Sequence, residues 1–552
     1  MINERLAELI RDALLRAQRD ERLPAVEIPQ IVLERPREKA HGDWSTNIAM
    51  VLAGQAQMPP RAVAQVIAEA LGDDTSINKV EIAGAGFINF YLSNDWLYEV
   101  LRDIEREGES FGHSTAGRGE RVQVEFVSAN PVGPMHIGHG RWAAVGDTLA
   151  NVLTARGYDV EREFYINDFG NQMNIFGKSV ATRYVQLLGR DVPFPEEGYR
   201  GEYIRDIARE ISAAEGDAYL DIAESERESL FLERSYKQVL EHLKLTLEKM
   251  GVVFDSWFSE RELHASSAVD KAIAGLRESG YVYEEDGAVW FKATAFGEEK
   301  DRVLIRANGE PTYFAADIAY HKNKLGRGFD RLINIWGADH HGYIGRMKAA
   351  VRALGYPADK LEIIIGQLVN LMRGGEPVRM SKRTGEMVTL DELLEEVGRD
   401  AARFFFLMRG TDSPLDFDIE LAKEQSNENP VYYVQYAHAR ISSIVRFAEA
   451  EEIDLSGDID YRRLETEPEF DLIRKLAEWP EVLERAARQR ALHPLTAYAQ
   501  ELAAVFHFFY TKCRVVTDDK ALSTARMALC DATRTVLRGV LTVLGVAAPE
   551  RM

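Results

Sequence analysis

A chain of 552 residues is too long for one ordinary hydrophobic core, so two to four domains are expected. It is 46% hydrophobic and 28% charged, as folded proteins are, and no apolar run approaches the ~20 residues of a membrane span. A formal net charge of −22 excludes a protein that coats nucleic acid nonspecifically, although not one that binds it through a local patch. Cys513 and Cys530 are too few for a disulfide framework or a four-thiolate zinc site. The opening MINERLAELIRDALL carries acids where a signal peptide has basic and then apolar residues. A cytoplasmic protein with reduced thiols is expected.

Roughly the first 115 residues read as one α+β domain. A helix over Ile2 to Ala17 leads to extended pieces near Val26 to Leu33. Helices follow at Asn47 to Ala53 and Arg61 to Leu71, then strands at Lys79 to Ile82 and Phe87 to Leu92. FGHSTAGRG, Phe111 to Gly119, is a small-residue linker. From Glu120 to Glu428 strands alternate with helices, the pattern of a parallel α/β sheet. Its strands are expected at Val122 to Val127, Val160 to Ile166, Arg331 to Ile335 and Leu361 to Ile365. A charged helical insertion occupies about Gly189 to Met250, and Tyr281 to Ala307 suggests a hairpin layer. Asn429 to Met552 carries only helical patterns and reads as an all-α bundle.

Three stretches carry chemistry. VSANPVGPMHIGHGR, Val127 to Arg141, lies between a strand and a helix, where unpaired backbone N–H groups and the helix dipole favour phosphate. His136 and His139 are three residues apart, one helix face if both are helical, and both can aim at one phosphate. Pro134 suits a first-turn position, while Gly138 and Gly140 clear space for a flat ring or a sugar. Taken alone, a polar helix start with satisfied histidines explains this stretch equally well. GGEPVRMSKRTGEMVTL, from Gly374, reads as a mobile cationic loop in which Lys382 neutralises developing phosphoryl charge, with an ordinary surface loop as the alternative. WGADHHG, Trp336 to Gly342, follows a strand and suits a ribose contact through Asp339. His340 and His341 point to different sides and lack further ligands nearby, so no metal site is expected.

These stretches, in this order on an alternating sheet, resemble the class I aminoacyl-tRNA synthetases, with HIGH at His136 to His139 and RMSKR at Arg379 to Arg383. YINDFGNQM, TYFAADIAYH, YYVQYAHARI and the closing VLGVAAPERM are similar to the arginyl-tRNA synthetase family, and the resemblance covers nearly the whole chain. It implies a Rossmann-type catalytic domain that activates L-arginine with ATP and Mg²⁺ and transfers it to tRNA for arginine, in a monomer. ATP would be held by His136, Gly138, His139, Gly337, Asp339, Met380, Ser381 and Lys382, with His136, His139 and Lys382 catalytic. Arg379 and Arg383 depart from the usual KMSKS, but the second lysine is kept.

A guanidinium is planar and always charged, and carboxylates grip it in bidentate fashion. By the resemblance Glu125 and Asp317 do so, with Tyr313 beside the side chain, and Ser128, Asn130, His136 and His340 complete the arginine site. The plain alternatives are an edge-strand acid for Glu125 and a helix-start cap for Asp317. The resemblance gives the N-terminal domain the tRNA elbow, through Asn94 and a stacking Trp96. It gives the helical C-terminal domain the anticodon, through Tyr433, Ala437, Arg440 and Met552, although at least one of Tyr432, Tyr433 and Tyr436 is expected to face the core. Two rivals share parts of this pattern. A nucleotidyltransferase without tRNA has little use for the flanking domains, and a non-catalytic tRNA-binding paralogue would have lost His136, His139 or Lys382.

Overall fold

The computed structural model describes residues 2–36, 38–72, 74, 76–378, 388–450, 453, 455 and 457–552. By compactness the chain divides into two units. The first comprises Met1–Phe111, Arg440–Pro480 and Ala504–Val536, and the second Gly112–Ala439, Glu481–Ala503 and Leu537–Met552.

The first unit opens with α1 (Ile2–Arg19), whose Leu6, Ile10, Ala13, Leu14 and Ala17 recur at helical spacing and are all buried. Strand β1 (Trp44–Thr46), helices α2 (Ile48–Ala56) and α3 (Pro60–Ala70), and strands β2 (Ile77–Ala83) and β3 (Phe87–Leu92) follow. The three strands form an antiparallel sheet in the order β1-β3-β2. Val26 to Leu33 forms no ladder; the nearest pairing is an isolated bridge between Glu34 and Ser45. After β3 the chain enters α4 (Asn94–Glu107), which places Trp96 in its first turn and leaves it only 4% exposed.

The second unit is built on a five-stranded parallel sheet. Its strands are β4 (Arg121–Glu125), β5 (Asp159–Ile166), β6 (Ser256–Ser259), then β10 (Arg331–Gly337) and β11 (Leu361–Gly366), after a separate three-stranded antiparallel layer of β7 (Val282–Glu285), β8 (Ala288–Phe291) and β9 (Arg302–Ile305). The order β11-β10-β4-β5-β6 puts β4 in the centre, where both faces are covered: Val122 and Val124 are buried, and so are the polar Gln123 and Glu125 between and after them. Connecting helices are α5 (Ile137–Ala155), α6 (Asn171–Leu187), α7 (Glu202–Glu215), α8 (Glu224–Lys249), α9 (Glu260–Ala265), α10 (Ala268–Glu278), α11 (Tyr313–Gly326) and α12 (Ile344–Ala353). The expected insertion is thus the α7–α8 region. A small sheet of β12 (Val369–Arg373), β13 (Glu376–Pro377) and β14 (Leu415–Asp418) follows, with α13 (Leu390–Val397) and α14 (Arg399–Leu407) between its strands. The remaining described elements are helical: α15 (Ile419–Lys423), α16 (Pro430–Ala450), α17 (Glu467–Ala477), α18 (Trp479–Gln489), α19 (His493–Lys512) and α20 (Lys520–Leu544).

Candidate active site

In a parallel sheet, ligands bind beyond the carboxyl ends of strands where the chain order reverses. Here that point lies between β4 and β10, so Glu125 and Gly337 end the two strands that flank it. The expected strand to Val127 stops at Glu125, because Val127 and Ser128 adopt positive φ values of 68° and 42°. Each such non-glycine residue costs about 1–3 kcal/mol, a strain that concentrates where geometry matters. Ser128 Oγ accepts from Tyr165 N at 3.2 Å and donates to Glu125 Oε1 at 3.2 Å, which fixes the bend. Asn130 donates to Gln172 Oε1 at 2.7 Å.

The signature histidines occupy a helix start in an unexpected way. His136 is the N-cap of α5, and only His139 lies within the helix. His136 Nδ1 accepts from Gly138 N at 3.1 Å and His139 Nδ1 accepts from His136 N at 3.2 Å, a reciprocal capping box made of two imidazoles. The rings stack, with centroids 3.7 Å apart and an interplanar angle of 22°. Because both Nδ1 atoms accept backbone N–H groups, each neutral ring carries its proton on Nε2. A pair of parallel Nε2–H donors at a helix N-terminus suits an anion.

Three details of the turn differ from expectation. Pro134 lies two residues before the cap and not in the first turn. A Cβ on Gly138 would meet the His136 ring at 2.9 Å, so this glycine makes room for the cap. A Cβ on Gly140 would meet Leu390 at 2.6 Å and Phe406 at 3.0 Å, so that glycine serves helix packing and not a ligand. The turn is tied to the far side of the second signature loop, since Leu390 N donates to Met135 O at 2.8 Å and His136 bridges Thr389. Met380, Ser381 and Lys382 lie outside the described residues.

Three acids, Glu125, Asp317 and Glu260, lie near one another around the end of β4. Glu125 is on the central strand and not on an edge; it is buried and ion-paired with Lys324, itself 0% exposed. Asp317 does not cap α11, because Thr312 does, through its hydroxyl to Ala315 N. It accepts from Tyr343 OH, and burial, with Glu125 nearby, pushes its carboxyl up to about 6. Glu260, at the start of α9, is pushed up to about 7 by burial and by the neighbouring Asp317 and Asp168, partly offset by a hydrogen bond from Tyr165. Tyr313 is 55% exposed and Gly170 approaches its hydroxyl. At the end of β10, Asp339 and His340 are exposed and pair with each other at 3.5 Å, and the Asp339 carboxylate folds over Gly337. His340 stands one ring from Asp317, its centroid 6.4 Å from Tyr343.

The relatives decide the family. Residues 104–412 match the model for tRNA synthetases class I (R), catalytic domain; residues 4–92 match the arginyl tRNA synthetase N terminal domain, and 434–552 the DALR anticodon binding domain. An arginine–tRNA ligase of Heliobacterium modesticaldum is 54% identical, covering 100% of this chain and 99% of its own. One of Carboxydothermus hydrogenoformans is 55% identical over 94% of each chain. The chain belongs to the arginine–tRNA ligase family. The Thermus thermophilus arginyl-tRNA synthetase structure superposes with a TM-score of 0.78 at 24% identity over the whole of both chains, a likeness of fold.

Family membership sharpens what sequence reading missed. Lys324, Glu260 and Tyr343 join Glu125 and Asp317 although none stood out as a motif, as does Tyr165, which opens the YINDFGNQM stretch but was given no role there. Lys324 had a signal: it falls seven residues after Asp317, on the same face of α11. On the RNA-facing expectations the structure is mixed. Asn94 is exposed, but the buried Trp96 belongs to the core of its unit and offers no face to a base. Ala437 is likewise 0% exposed. Tyr432, Tyr433 and Tyr436 are all half-buried, so none is the core residue expected among them; Val431, Val434, Ala437 and His438 fill that side. Arg440 lies 5.2 Å over the Tyr510 ring. Met552 is exposed and helps line a cleft of ≈ 640 Å³ with Tyr432, Gln435 and Arg399.

Proposed function

We propose that this chain joins L-arginine to tRNA for arginine in two steps. The arginine carboxylate attacks the α-phosphorus of ATP, the bond to the bridging oxygen breaks and pyrophosphate leaves. The ribose hydroxyl at the tRNA 3′ end then attacks the arginyl carbonyl, the mixed anhydride breaks and AMP leaves. The observation that carries this reading is the stacked His136–His139 pair at the switch point of the sheet, with carboxylates that suit a guanidinium around the end of β4. Two Nε2–H donors stabilise charge that develops on phosphate oxygens, and no side-chain nucleophile is needed. Lys382 supplies further positive charge from the second loop.

Glu125, Ser128, Asn130, Tyr313, Asp317 and His340 form the arginine side, and Gly337, Asp339, Met380 and Ser381 the nucleotide side. Among the described residues no group of three or more His, Cys, Asp or Glu side chains is placed to hold a metal. Mg²⁺, bound with ATP, would supply neutralisation of the phosphate charge. Residues 1–115 and 429–552 take the tRNA elbow and anticodon, through Asn94, Tyr433, Arg440 and Met552, and the enzyme works as a cytoplasmic monomer. Aminoacylation of total tRNA with each of the twenty amino acids tests the reading. Charging with arginine alone is expected; charging with another amino acid, or with none, overturns it.

A further inference from the structure

On α11, Asp317, Tyr320, His321 and Lys324 recur at i, i+3, i+4 and i+7, so one face of this helix looks inward with polar groups. Those groups are joined. His321 Nδ1 donates to Asp317 O at 2.8 Å, and its Nε2 accepts from Asn334 Nδ2 at 3.1 Å. Asn334 Oδ1 accepts from Lys324 Nζ at 3.0 Å, and Lys324 also pairs with Glu125 Oε2. A continuous chain of bonds thus links the backbone of Asp317 to the carboxylate of Glu125 across α11, β10 and β4.

Both oxygens of Glu125 and one of Asp317 are held: Glu125 Oε1 accepts from Ser128 Oγ at 3.2 Å, Glu125 Oε2 pairs with Lys324, and Asp317 Oδ2 accepts from Tyr343. Each carboxylate oxygen has two lone pairs, so these bonds fix the aim of the acids and leave lone pairs for a guanidinium. The other groups around Glu125 are accounted for. Glu163 of β5 has Arg327 at 2.6 Å and the Tyr320 hydroxyl, Tyr165 of β5 serves Glu260, and His321 is neutral, with burial and then Lys324 pushing it down to about 3. Among the described residues, Lys324 is the cation that ion-pairs with Glu125.

We propose that Lys324 is a positioning residue for arginine recognition, the buried countercharge that pins Glu125 Oε2 and so fixes the direction in which this carboxylate meets the substrate. This rests on the reading given under Proposed function. A buried pair kept only for stability gains little over an apolar pair, whereas this one sets the aim of a substrate-facing acid. Without the ammonium, Glu125 loses the bond that fixes its Oε2, and a mis-aimed carboxylate grips a planar guanidinium less well.

The test is aminoacylation by the full chain, with tRNA present, over pH 6 to 9. Lys324→Met is expected to raise KM for arginine by about 100-fold at pH 7, with KM for ATP and for tRNA within about threefold of the parent. A merely structural role would move kcat, KM for ATP and the melting temperature together, whereas here the arginine KM should move alone. Lys324→Gln keeps a hydrogen-bond donor without the charge and should also raise the arginine KM at least about tenfold; a parental arginine KM in Lys324→Gln would overturn the proposal. Should Lys324→Met fail to fold, Lys324→Met/Glu125→Gln removes both buried charges. If Lys324 acts through Glu125, that double variant raises the arginine KM no further than Glu125→Gln alone; a clear added increase would overturn the proposal. A parent that does not charge arginine sinks the functional reading instead, whereas an active parent with unaffected variants sinks only the role of Lys324.

Discussion

At the residue scale, His136 does two jobs that one substitution can separate. As N-cap it satisfies a backbone N–H, worth about 1 kcal/mol to the helix, and its ring, stacked on His139, carries an Nε2–H. His136→Asn keeps a good cap and removes the imidazole, so it should retain stability yet lower adenylate formation roughly 10²–10³-fold. His139→Ala should fall as far, with arginine affinity little changed. Pyrophosphate exchange near the parental rate in both variants would remove the pair from catalysis. The acids make a different demand. Burial holds Asp317 up at about 6 and Glu260 at about 7, so both are partly protonated near neutrality. A guanidinium binds their ionised forms; KM for arginine should therefore fall as pH rises through 6 to 7 and level off above about 7.5. Stability runs the other way. A carboxyl raised in the folded state contributes stability below its unfolded value near 4 and loses it as pH rises through the folded value. Arginine should accordingly raise the melting temperature more at pH 8 than at pH 6, and an equal rise at both would contradict the assignment. Asp317→Asn should raise arginine KM by orders of magnitude at pH 8 and leave KM for ATP unchanged.

At the scale of elements, α5 lies against the chain beyond β4 because Gly146 has no side chain; a Cβ there would meet the Phe126 ring at 2.1 Å. Gly146→Ala gains helix propensity of about 1 kcal/mol, but the overlap should win, with a net loss of roughly 1–3 kcal/mol read by denaturant unfolding. The start of α13 is tied to α8 through Asp391, which accepts from Thr246 Oγ1 at 2.7 Å and Lys249 Nζ at 2.8 Å and pairs with His242 Nε2 at 3.1 Å. Burial opposes it, yet these bonds hold Asp391 well below the carboxylate range, and Asp391 raises His242. The tie is complete between those two values. Its aspartate part fades in acid, and its histidine part fades as pH rises through the raised His242 value. Asp391→Asn should speed amide exchange across Leu390 to Val397 about tenfold at pH 6. Strands and helices of the α/β sheet were legible because burial on both faces of a strand and one face of a helix leaves simple periods. The end of β4 was not, since Phe126 and Val127 continue the apolar run while the positive φ at Val127 breaks the strand. Trp96 misled for a related reason: a strand and an immediately following helix both bury aromatics, and only the backbone shows which one holds it. Glu125, Asp317 and the two histidines were visible through motif resemblance, whereas Glu260 and Lys324 are brought in by tertiary folding from β6–α9 and from two turns along α11.

At the scale of the whole molecule, homology and compactness cut the chain differently. The DALR match spans residues 434–552, yet Glu481–Ala503 and Leu537–Met552 belong to the compact unit that contains the catalytic sheet. The reason is specific. Arg403, fully buried on α14, donates from Nε to Leu544 O at 3.0 Å and from Nη2 to Asp147 of α5 at 2.6 Å. Asn151 of α5 donates to Val543 O at 3.1 Å, and Arg490 pairs with Glu362 of β11 at 3.1 Å. The end of α20 thus satisfies side chains of α5, the helix that His136 caps and whose first turn carries His139. A chain ended after Glu428 would keep the Arg403 bond to Met250 O but leave Arg403 Nε without Leu544 O, and would remove the buried Leu541 and Leu544. Leaving a buried charged donor unsatisfied costs about 1–3 kcal/mol or more, and the exposed apolar area adds to that. Such a chain is expected to aggregate or to melt well below the parent, and to show neither pyrophosphate exchange nor ATP binding even with tRNA present. By contrast, a chain ended after Ala547 keeps Val543, Leu544 and Gly545 and should retain the parental melting temperature within a few degrees. It loses Met552, so any effect on it should appear in KM for tRNA. If the chain ended at Glu428 instead unfolds cooperatively near the parental temperature and binds ATP, the sheet stands alone and the last helix is a passenger on it.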